Sequence, residues 1–363
     1  MKKCWSLLLA LVLLLSMAVP SMAAQKKEAP TLTSHADIVY DKTRSKNNTY
    51  DLFVPETLDK SKPVNIVLCL HSGSWTSGDK MEMSSHCGRF TELGYVAASL
   101  NYRIYDTNNI TKKQANYAWT ITDIMTDIAL TLNNIATRLE QAGYTVGNAA
   151  LFGYSAGGHL AMLYAYGTPN NAKVPVVLVM EQSGPVDFHA DAWEGSAMGS
   201  DVIMRMVVSM ANRSLTMDEA SIDAVSPAGM AKIHAVPTVA IYGGKDDVIG
   251  TGHKDILEKA LKLSRVEYEV LLDENANHIM DSHSDNMVQF YKTCADYCAK
   301  YLDGEVVENG TVTPAPARKK LPVWGIVLIV LAALIVLSGI LWILIAKKVF
   351  KKLKEKVKSK KQD

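Results

Sequence analysis

Short apolar runs recur along the middle of the chain, and stretches with helical spacing separate them. The runs are continuous and rich in Val, Ile and Leu, which is typical of strands covered on both faces in a mostly parallel sheet. They begin at Val64, Tyr95, Ala149, Val174, Val236 and Val266. A step of three or four residues predicts an amphipathic helix that ends near Gly143, with apolar positions at Ile121, Ile124, Ile128, Leu132, Ile135 and Leu139. Strands that alternate with helices predict an α/β fold with a doubly wound, mostly parallel sheet, as one domain over residues 25–302.

The amino terminus has the pattern of a secretory signal. Lys2 and Lys3 precede an apolar run from Leu7 to Leu15, and small residues follow up to Ala23 and Ala24. A charged start, an apolar centre and a small-residue cleavage site are the three parts of such a signal. We therefore expect residues 1–24 to be a signal peptide and the domain after them to be exported.

A second apolar segment lies near the carboxyl terminus. The 24 residues from Val323 to Ala346 include no charged side chain, and a helix of that length crosses a hydrocarbon layer of about 30 Å. The following residues, 347–363, carry nine lysines against two acidic residues, which places this tail in the cytoplasm by the positive-inside rule. Residues 303–321 contain Thr, Pro and Ala and predict an extended stalk. The sequence thus predicts a single-pass protein of the cell membrane, with a transmembrane helix over 322–346 and its domain outside the cytoplasm.

The composition and charge of the chain bear on which classes of function the domain can have. The chain has 363 residues, of which 48% are hydrophobic, and a formal net charge of +1. Because basic residues are concentrated at the two ends, the domain between them is acidic, and an acidic domain is a poor candidate for binding nucleic acid.

The cysteines of the mature chain have neither the spacing of a disulfide scaffold nor that of a metal site, and we expect no cofactor and no metal. Cys69 lies inside an apolar run and is interpreted as a buried thiol. A disulfide between Cys87 and the pair Cys294 and Cys298 stays open at this stage.

The segment "ALFGYSAGG" carries the clearest chemical signal. Ser155 follows a predicted strand and precedes a helix-like stretch, which is the strand-turn-helix setting of a G-x-S-x-G nucleophile elbow. Gly153 and Gly157 would let the strand and the helix approach closely across a strained turn. The partial positive charge at the start of the helix would favour an alkoxide or an oxyanion. Ser155 is therefore the candidate nucleophile.

Further upstream, "LCLHSGSWTSGDK" follows the strand that begins at Val64. This segment resembles the HGGGW loop of the esterase and lipase branch of the α/β-hydrolase fold, although Ser72 and Ser74 stand where glycines are usual. The resemblance implies an oxyanion hole formed by the backbone N–H groups of Gly73, Ser74 and Ala156. Because serine reaches fewer backbone conformations than glycine, the hole is the weakest part of the match. His71 is expected to brace the loop and not to titrate in catalysis.

The resemblance extends to the acid and the base. "YGGKDDVIG" is similar to the acid loop of the family, where Asp246 falls on the acid position and Asp247 is the competitor. In "ENANHIM", His278 follows the last predicted strand and falls on the base position. Ser155, Asp246 and His278 thus occur in the chain order of this fold. A cap insertion is expected over about 188–228.

These features predict a serine hydrolase that cleaves carboxylic esters through an acyl-enzyme, and the compact cap favours short acyl chains. A small-molecule ester is the expected partner, and the natural ester and the oligomeric state stay open. A serine peptidase of the same fold is an alternative. A catalytically silent surface binding module is another, and Ser72 and Ser74 are the only hints of it.

Overall fold

The computed structural model describes residues 32–105, 110–111, 114–115, 119–167, 172–197, 201–212, 218–281 and 284–304. All of them lie in one compact unit with the bounds Met1–Thr313, and the second unit, Pro314–Asp363, falls wholly outside them. The predicted signal peptide, transmembrane helix and basic tail also lie outside the described residues, as does the stalk after residue 304. Within the described ranges, no helix combines the length and the hydropathy that crossing a membrane requires.

One eight-stranded sheet runs through the domain. Its strands follow the order β1-β2-β4-β3-β7-β8-β9-β10, and β5 and β6 form a separate two-stranded ribbon. From β4 to β10 all neighbours are parallel, whereas β1 and β2 add an antiparallel edge. The bounds are β1 His35–Val39, β2 Thr49–Phe53, β3 Val64–Leu70, β4 Val96–Leu100, β5 Ile110–Thr111, β6 Gln114–Ala115, β7 Val146–Tyr154, β8 Val176–Gln182, β9 Thr238–Gly243 and β10 Tyr268–Asp273.

Helices cover both faces of this sheet, as the doubly wound prediction requires. One hydrophobic core contains α2, α3 and α7, and the core on the opposite face contains α1 and α8. The bounds are α1 Ser84–Glu92, α2 Ile121–Gln141, α3 Ala156–Tyr166, α4 Asp201–Asn212, α5 Glu219–Asp223, α6 Pro227–Ala231, α7 Gly252–Ser264 and α8 Asp285–Tyr301; two 3₁₀ helices span Lys80–Met83 and Ala190–Trp193.

The strands divide between these two cores by alternation. In β3, Ile66 and Leu68 contact one core, whereas Val67 and Cys69 contact the other, and every residue of the strand is buried. This confirms that the apolar runs are strands covered on both faces, with one exception. The run from Val266 forms the edge strand β10, whose residues are mostly half-exposed or exposed because it has a neighbour on one side only.

The four cysteines of the described chain are free thiols, and all are buried. Cys69, Cys87, Cys294 and Cys298 lie in the core that contains α1 and α8. The buried thiol expected at Cys69 is confirmed, and the structure contains no disulfide between Cys87 and the two cysteines of α8.

The topology brings several loops to one edge of the sheet. Parallel strands have their carboxyl ends at the same edge, so the loops after β3, β7, β9 and β10 meet there. Between β8 and β9, the predicted cap region of 188–228 contains a 3₁₀ helix, α4, α5 and the first residues of α6. The candidate nucleophile, acid and base lie on three of the loops that meet at this edge.

Candidate active site

Ser155 lies at the turn between β7 and α3. Its φ and ψ are +53° and −116°, a left-handed φ that costs a non-glycine residue on the order of 1–3 kcal/mol. The turn is held on both sides, because the N–H of Ser155 donates to the Gln182 carbonyl at 2.8 Å and its carbonyl accepts from the His159 N–H at 3.0 Å. The strained turn that the sequence predicts at this serine is therefore present.

The glycines of the elbow allow an unusually close contact. A Cβ built on Gly153 would lie 2.2 Å from the Gly157 carbonyl oxygen, and one built on Gly157 would lie 2.0 Å from the Leu70 carbonyl oxygen. Both distances are far inside van der Waals contact, so only glycine fits at either position. The close approach of strand and helix inferred from the sequence is confirmed.

Three side chains form a hydrogen-bonded row at this edge of the sheet. Ser155 Oγ lies 2.9 Å from His278 Nε2, and His278 Nδ1 lies 2.8 Å from Asp246 Oδ2. The carboxylate accepts from Nδ1–H, which leaves Nε2 as the acceptor for the serine hydroxyl. All three residues are buried, with Ser155 7%, Asp246 4% and His278 9% exposed.

The chain around the row holds the Asp246 carboxylate and the His278 imidazole in place. The second oxygen of Asp246, Oδ1, accepts from the N–H groups of Val248 at 2.9 Å and Ile249 at 3.1 Å. On the other side, the Tyr154 hydroxyl donates to the His278 carbonyl at 3.1 Å. These backbone hydrogen bonds therefore hold the carboxylate in a fixed orientation facing the imidazole.

The loop after β3 has a special backbone where the sequence predicts the oxyanion hole. Gly73, Ser74 and Trp75 have consecutive positive φ values of +105°, +50° and +60°. A serine can adopt the left-handed region of φ at an energetic cost. Ser74 takes this conformation at a position where the family usually has glycine. Ala156 is the first residue of α3, and the first N–H groups of a helix have no partner within it.

His71 packs inside the base of this loop. Its ring stacks on Tyr102 with 4.1 Å between centroids, its Nδ1 is 2.7 Å from the Ser72 carbonyl, and the residue is 1% exposed. Burial lowers the pKa of His71. These contacts agree with the bracing role expected from the sequence.

Two buried polar side chains beside the elbow lie outside the set of site residues that the sequence predicts. His159 accepts a hydrogen bond from Trp75 Nε1 at 3.0 Å, although the two residues are 84 positions apart. Glu181 lies in β8 beside Gly153 of β7 and accepts from the Gly184 N–H at 2.7 Å. The available sequence signal for Glu181 is a carboxylate directly after the apolar run "VPVVLVM". Nothing in the local sequence indicates the hydrogen bond between His159 and Trp75.

Two further features lie apart from the row. A cavity of about 640 Å³ is lined by Arg44, Lys46, Thr76, Arg103 and Trp119, among others, and no residue of the row lines it. Among the described residues, His189, Glu219 and Asp223 are close enough to share a metal ion, but the two carboxylates are exposed. Exposed acids commonly gather around a histidine without a metal, so no metal role follows from this group.

A serine on a strained strand-to-helix turn, bonded to a histidine that follows the last strand, is the arrangement of the α/β-hydrolase class. Comparison with known proteins agrees. The family model described as BD-FAE matches residues 50–261. The chain belongs to the BD-FAE family of α/β-hydrolase esterases and is a carboxylic ester hydrolase.

Solved structures show the same fold. A truncated form of a carbohydrate esterase from gut microbiota has a TM-score of 0.58 at 14% identity, covering 76% of this chain and 97% of that one. A thermophilic esterase from Thermogutta terrifontis with butyrate bound has a TM-score of 0.56 at 17% identity, covering 78% and 98%.

A curated relative matches over a shorter stretch. It is a non-reducing polyketide synthase, atr1, of Stereocaulon alpinum, 26% identical over 148 residues, which are 39% of this chain. The match spans only 6% of the length of that synthase, so the activity of the whole synthase carries no argument here.

Proposed function

We propose that this protein hydrolyses carboxylic esters through an acyl-enzyme formed on Ser155. Ser155 Oγ attacks the ester carbonyl carbon while His278 Nε2 takes the hydroxyl proton, and Asp246 stabilises the imidazolium that results. The tetrahedral intermediate collapses as the bond to the leaving alcohol breaks, and His278 returns the proton to that oxygen. Water then attacks the acyl carbon while His278 takes its proton, the bond from that carbon to Ser155 Oγ breaks, the carboxylic acid leaves, and His278 returns the proton to Oγ.

The observation that carries this proposal is the continuous row from Ser155 Oγ through the imidazole to Asp246 Oδ2, at 2.9 and 2.8 Å. A serine hydroxyl is a weak nucleophile at neutral pH, and a base within hydrogen-bond distance activates it. A silent binding module would not require this geometry. The intact row therefore favours the hydrolase over that alternative.

We assign the oxyanion hole to the N–H groups of Gly73, Ser74 and Ala156. The consecutive positive φ values of the loop and the position of Ala156 at the start of α3 support the assignment. The N–H groups of these residues would stabilise the negative charge that develops on the carbonyl oxygen in the transition state.

Short acyl chains are the proposed preference. Among the described residues, the segment between β8 and β9 is built from short helices, of 12 residues in α4 and five each in α5 and α6, which supports a small cap. The structure of the Thermogutta terrifontis esterase holds butyrate, a four-carbon carboxylate. An acylated sugar is the matching candidate for the alcohol side, because a carbohydrate esterase shares the fold.

The proposed location is the outer face of the cell membrane. The secretory pattern of residues 1–24, the 24 apolar residues from Val323 to Ala346 and the lysine-rich tail support export with a single anchor. In this arrangement the hydrolase domain meets esters outside the cytoplasm.

A fluorophosphonate probe tests the mechanism directly. It reacts with an activated serine, so the wild-type protein should be labelled and Ser155→Ala should not. Ser183→Ala is the matched control, because Ser183 is also buried near the elbow at a positive φ but is not in the row. Labelling that persists in Ser155→Ala, or its absence from folded wild-type protein, would overturn the proposal.

A panel of aryl esters from acetate to decanoate measures the acyl preference. We expect kcat/KM to be highest for acetate to butyrate and to fall for longer chains, and acetylated xylose extends the panel to sugars. A maximum at octanoate or decanoate would contradict the short-acyl proposal without affecting the assignment of Ser155.

A further inference from the structure

Trp75 and His159 form a hydrogen bond whose direction is fixed by chemistry. The indole Nε1–H of Trp75 can only donate, so His159 Nδ1, at 3.0 Å, must accept and carries no proton. The proton of the neutral ring is then on Nε2, which lies 2.8 Å from the Val225 carbonyl oxygen and donates to it. Both ring nitrogens are thus used in a single tautomer.

The surroundings keep this imidazole neutral. His159 is completely buried, and burial lowers its pKa to about 4. Its ring meets Phe188 edge to face at 5.1 Å and Trp75 at 5.4 Å. Each ring nitrogen has a hydrogen-bond partner within the protein, so the ring needs neither a water molecule nor a charged group to complete its hydrogen bonds.

The three bonded residues belong to three different parts of the site. Trp75 ends the left-handed stretch of the loop after β3, His159 lies in the first turn of α3, and Val225 connects α5 to α6. His159 also bonds through its N–H to the carbonyl of Ser155. One side chain therefore connects the oxyanion loop, the nucleophile helix and the segment between β8 and β9.

The loop requires such a connection. Ser74 and Trp75 are non-glycine residues at positive φ, and conformations of this kind persist only when surrounding contacts determine them. Trp75 is 1% exposed, and its carbonyl accepts from the Tyr105 N–H at 2.8 Å. Its indole N–H hydrogen-bonds directly to His159 of α3.

We propose that His159 is a positioning residue for ester hydrolysis, which holds the N–H groups of the oxyanion loop in register with Ser155 and Ala156 by accepting the Trp75 hydrogen bond. This inference rests on the proposed function. The N–H groups act on charge that develops in the transition state, so a displaced loop should lower kcat and leave KM nearly unchanged.

Two replacements of His159 separate its two hydrogen bonds. Asn places its carboxamide oxygen near the position of Nδ1 and can still accept from Trp75, whereas Gln places its amide nitrogen near Nε2 and can still donate to Val225. We expect His159→Gln to lower kcat about 10–100-fold, and His159→Asn to keep a kcat at least about 5-fold higher than that of His159→Gln. His234→Gln, at an exposed histidine, is the matched control and should match the wild type.

Trp75→Phe removes the indole N–H that donates to His159 and keeps an aromatic ring at the buried position. Its kcat should fall as in His159→Gln, and the double variant should be no slower than the slower single variant, because both break the same bond. Thermal unfolding confirms that each variant is folded. If one of them does not fold, the comparison rests on the other.

The outcomes are distinct. Equal kcat values for the Asn and Gln variants, a wild-type kcat for Trp75→Phe, or an effect confined to KM would overturn the role of His159. The proposed function has its own readout in the same samples, namely fluorophosphonate labelling that is lost in Ser155→Ala. Labelling that depends on Ser155 together with unaffected His159 variants would reject this inference alone.

Discussion

Asp246 and Asp247 are neighbours in the chain but lie in opposite environments: Asp246 is buried and bonds to His278, whereas Asp247 is exposed. The sequence made them competitors for the acid position, because both follow β9 in the same loop. The hydrogen bonds to Val248 and Ile249 fix the Asp246 carboxylate against the imidazole. This geometry favours Asp246 as the residue that orients the base.

Asp246→Asn should therefore lower kcat by about 10²–10⁴-fold, because an amide can present an N–H to His278 Nδ1 and so favour the wrong tautomer. Asp247→Asn should change kcat by less than about 3-fold. Steady-state kinetics with an aryl acetate measure both. Equal losses, or the larger loss at Asp247, would show that the acid assignment is wrong.

The glycines of the elbow give a prediction about stability. In Gly157→Ala the new Cβ would lie 2.0 Å from the Leu70 carbonyl oxygen, a backbone atom of the interior strand β3. We expect the free energy of unfolding to fall by more than about 2 kcal/mol, measured by urea titration.

Gly88→Ala is the control for that substitution. A Cβ at Gly88 meets nothing within 4 Å, and the residue lies in the interior of α1. Alanine should raise stability there by about 0.5–1 kcal/mol, because it loses less backbone entropy than glycine. A Gly157→Ala protein as stable as the wild type would show that α3 can move away from β3.

Sequence patterns predicted the parallel strands and the chain order of Ser155, Asp246 and His278, because short local segments carry both signals. The six apolar runs became strands, and Ser155, Asp246 and His278 each follow one of them. The antiparallel edge was not predicted. β1 and β2 are five residues long and mix apolar with polar or charged residues, "HADIV" and "TYDLF", so neither shows a continuous apolar run.

Contacts between residues that are far apart in the chain were also not predicted from the sequence. The guanidinium of Arg103 binds Asp127 at 2.8 Å, and the same carboxylate also binds Arg44, which lies between β1 and β2. Which cation meets which carboxylate depends on how α2 packs against the sheet edge. The Trp75–His159 bond has the same origin, since tertiary packing alone brings the two rings together.

The proposed tether gives a fractionation test. A protein truncated before Ala317 should be soluble with an unchanged kcat/KM, because the row and the loop after β3 precede that point. In the full chain, replacing Leu328, Leu334 and Ile340 together with Arg places three charges in the apolar segment and should release protein from the membrane pellet, whereas replacing the same three residues with Ala should not. A truncated protein that folds without activity would indicate a catalytic role for the removed residues.

Glu181 is a buried carboxyl group next to the turn at Ser155, and its burial makes the stability of the protein depend on pH. Two glycines make room for it, since a Cβ on Gly158 or Gly184 would lie 2.9 or 2.7 Å from its Oε2. Complete burial raises the pKa of Glu181 to about 8, well above its ordinary value of 4.5. The folded protein therefore keeps a proton at neutral pH that the unfolded chain has already lost.

Between pH 4.5 and about 8 the native state holds one more proton at Glu181 than the unfolded state, so this group makes stability fall as the pH rises, until the folded group also ionises near pH 8. Glu181→Gln removes the titration, and its amide oxygen can still accept from Gly184. We expect equal stability of the two proteins at pH 4.5 and an advantage for the variant at pH 9 on the order of 5 kcal/mol, measured by urea titration at each pH. A difference that does not change with pH would mean that Glu181 is ionised in the folded protein and has a partner strong enough to offset its burial.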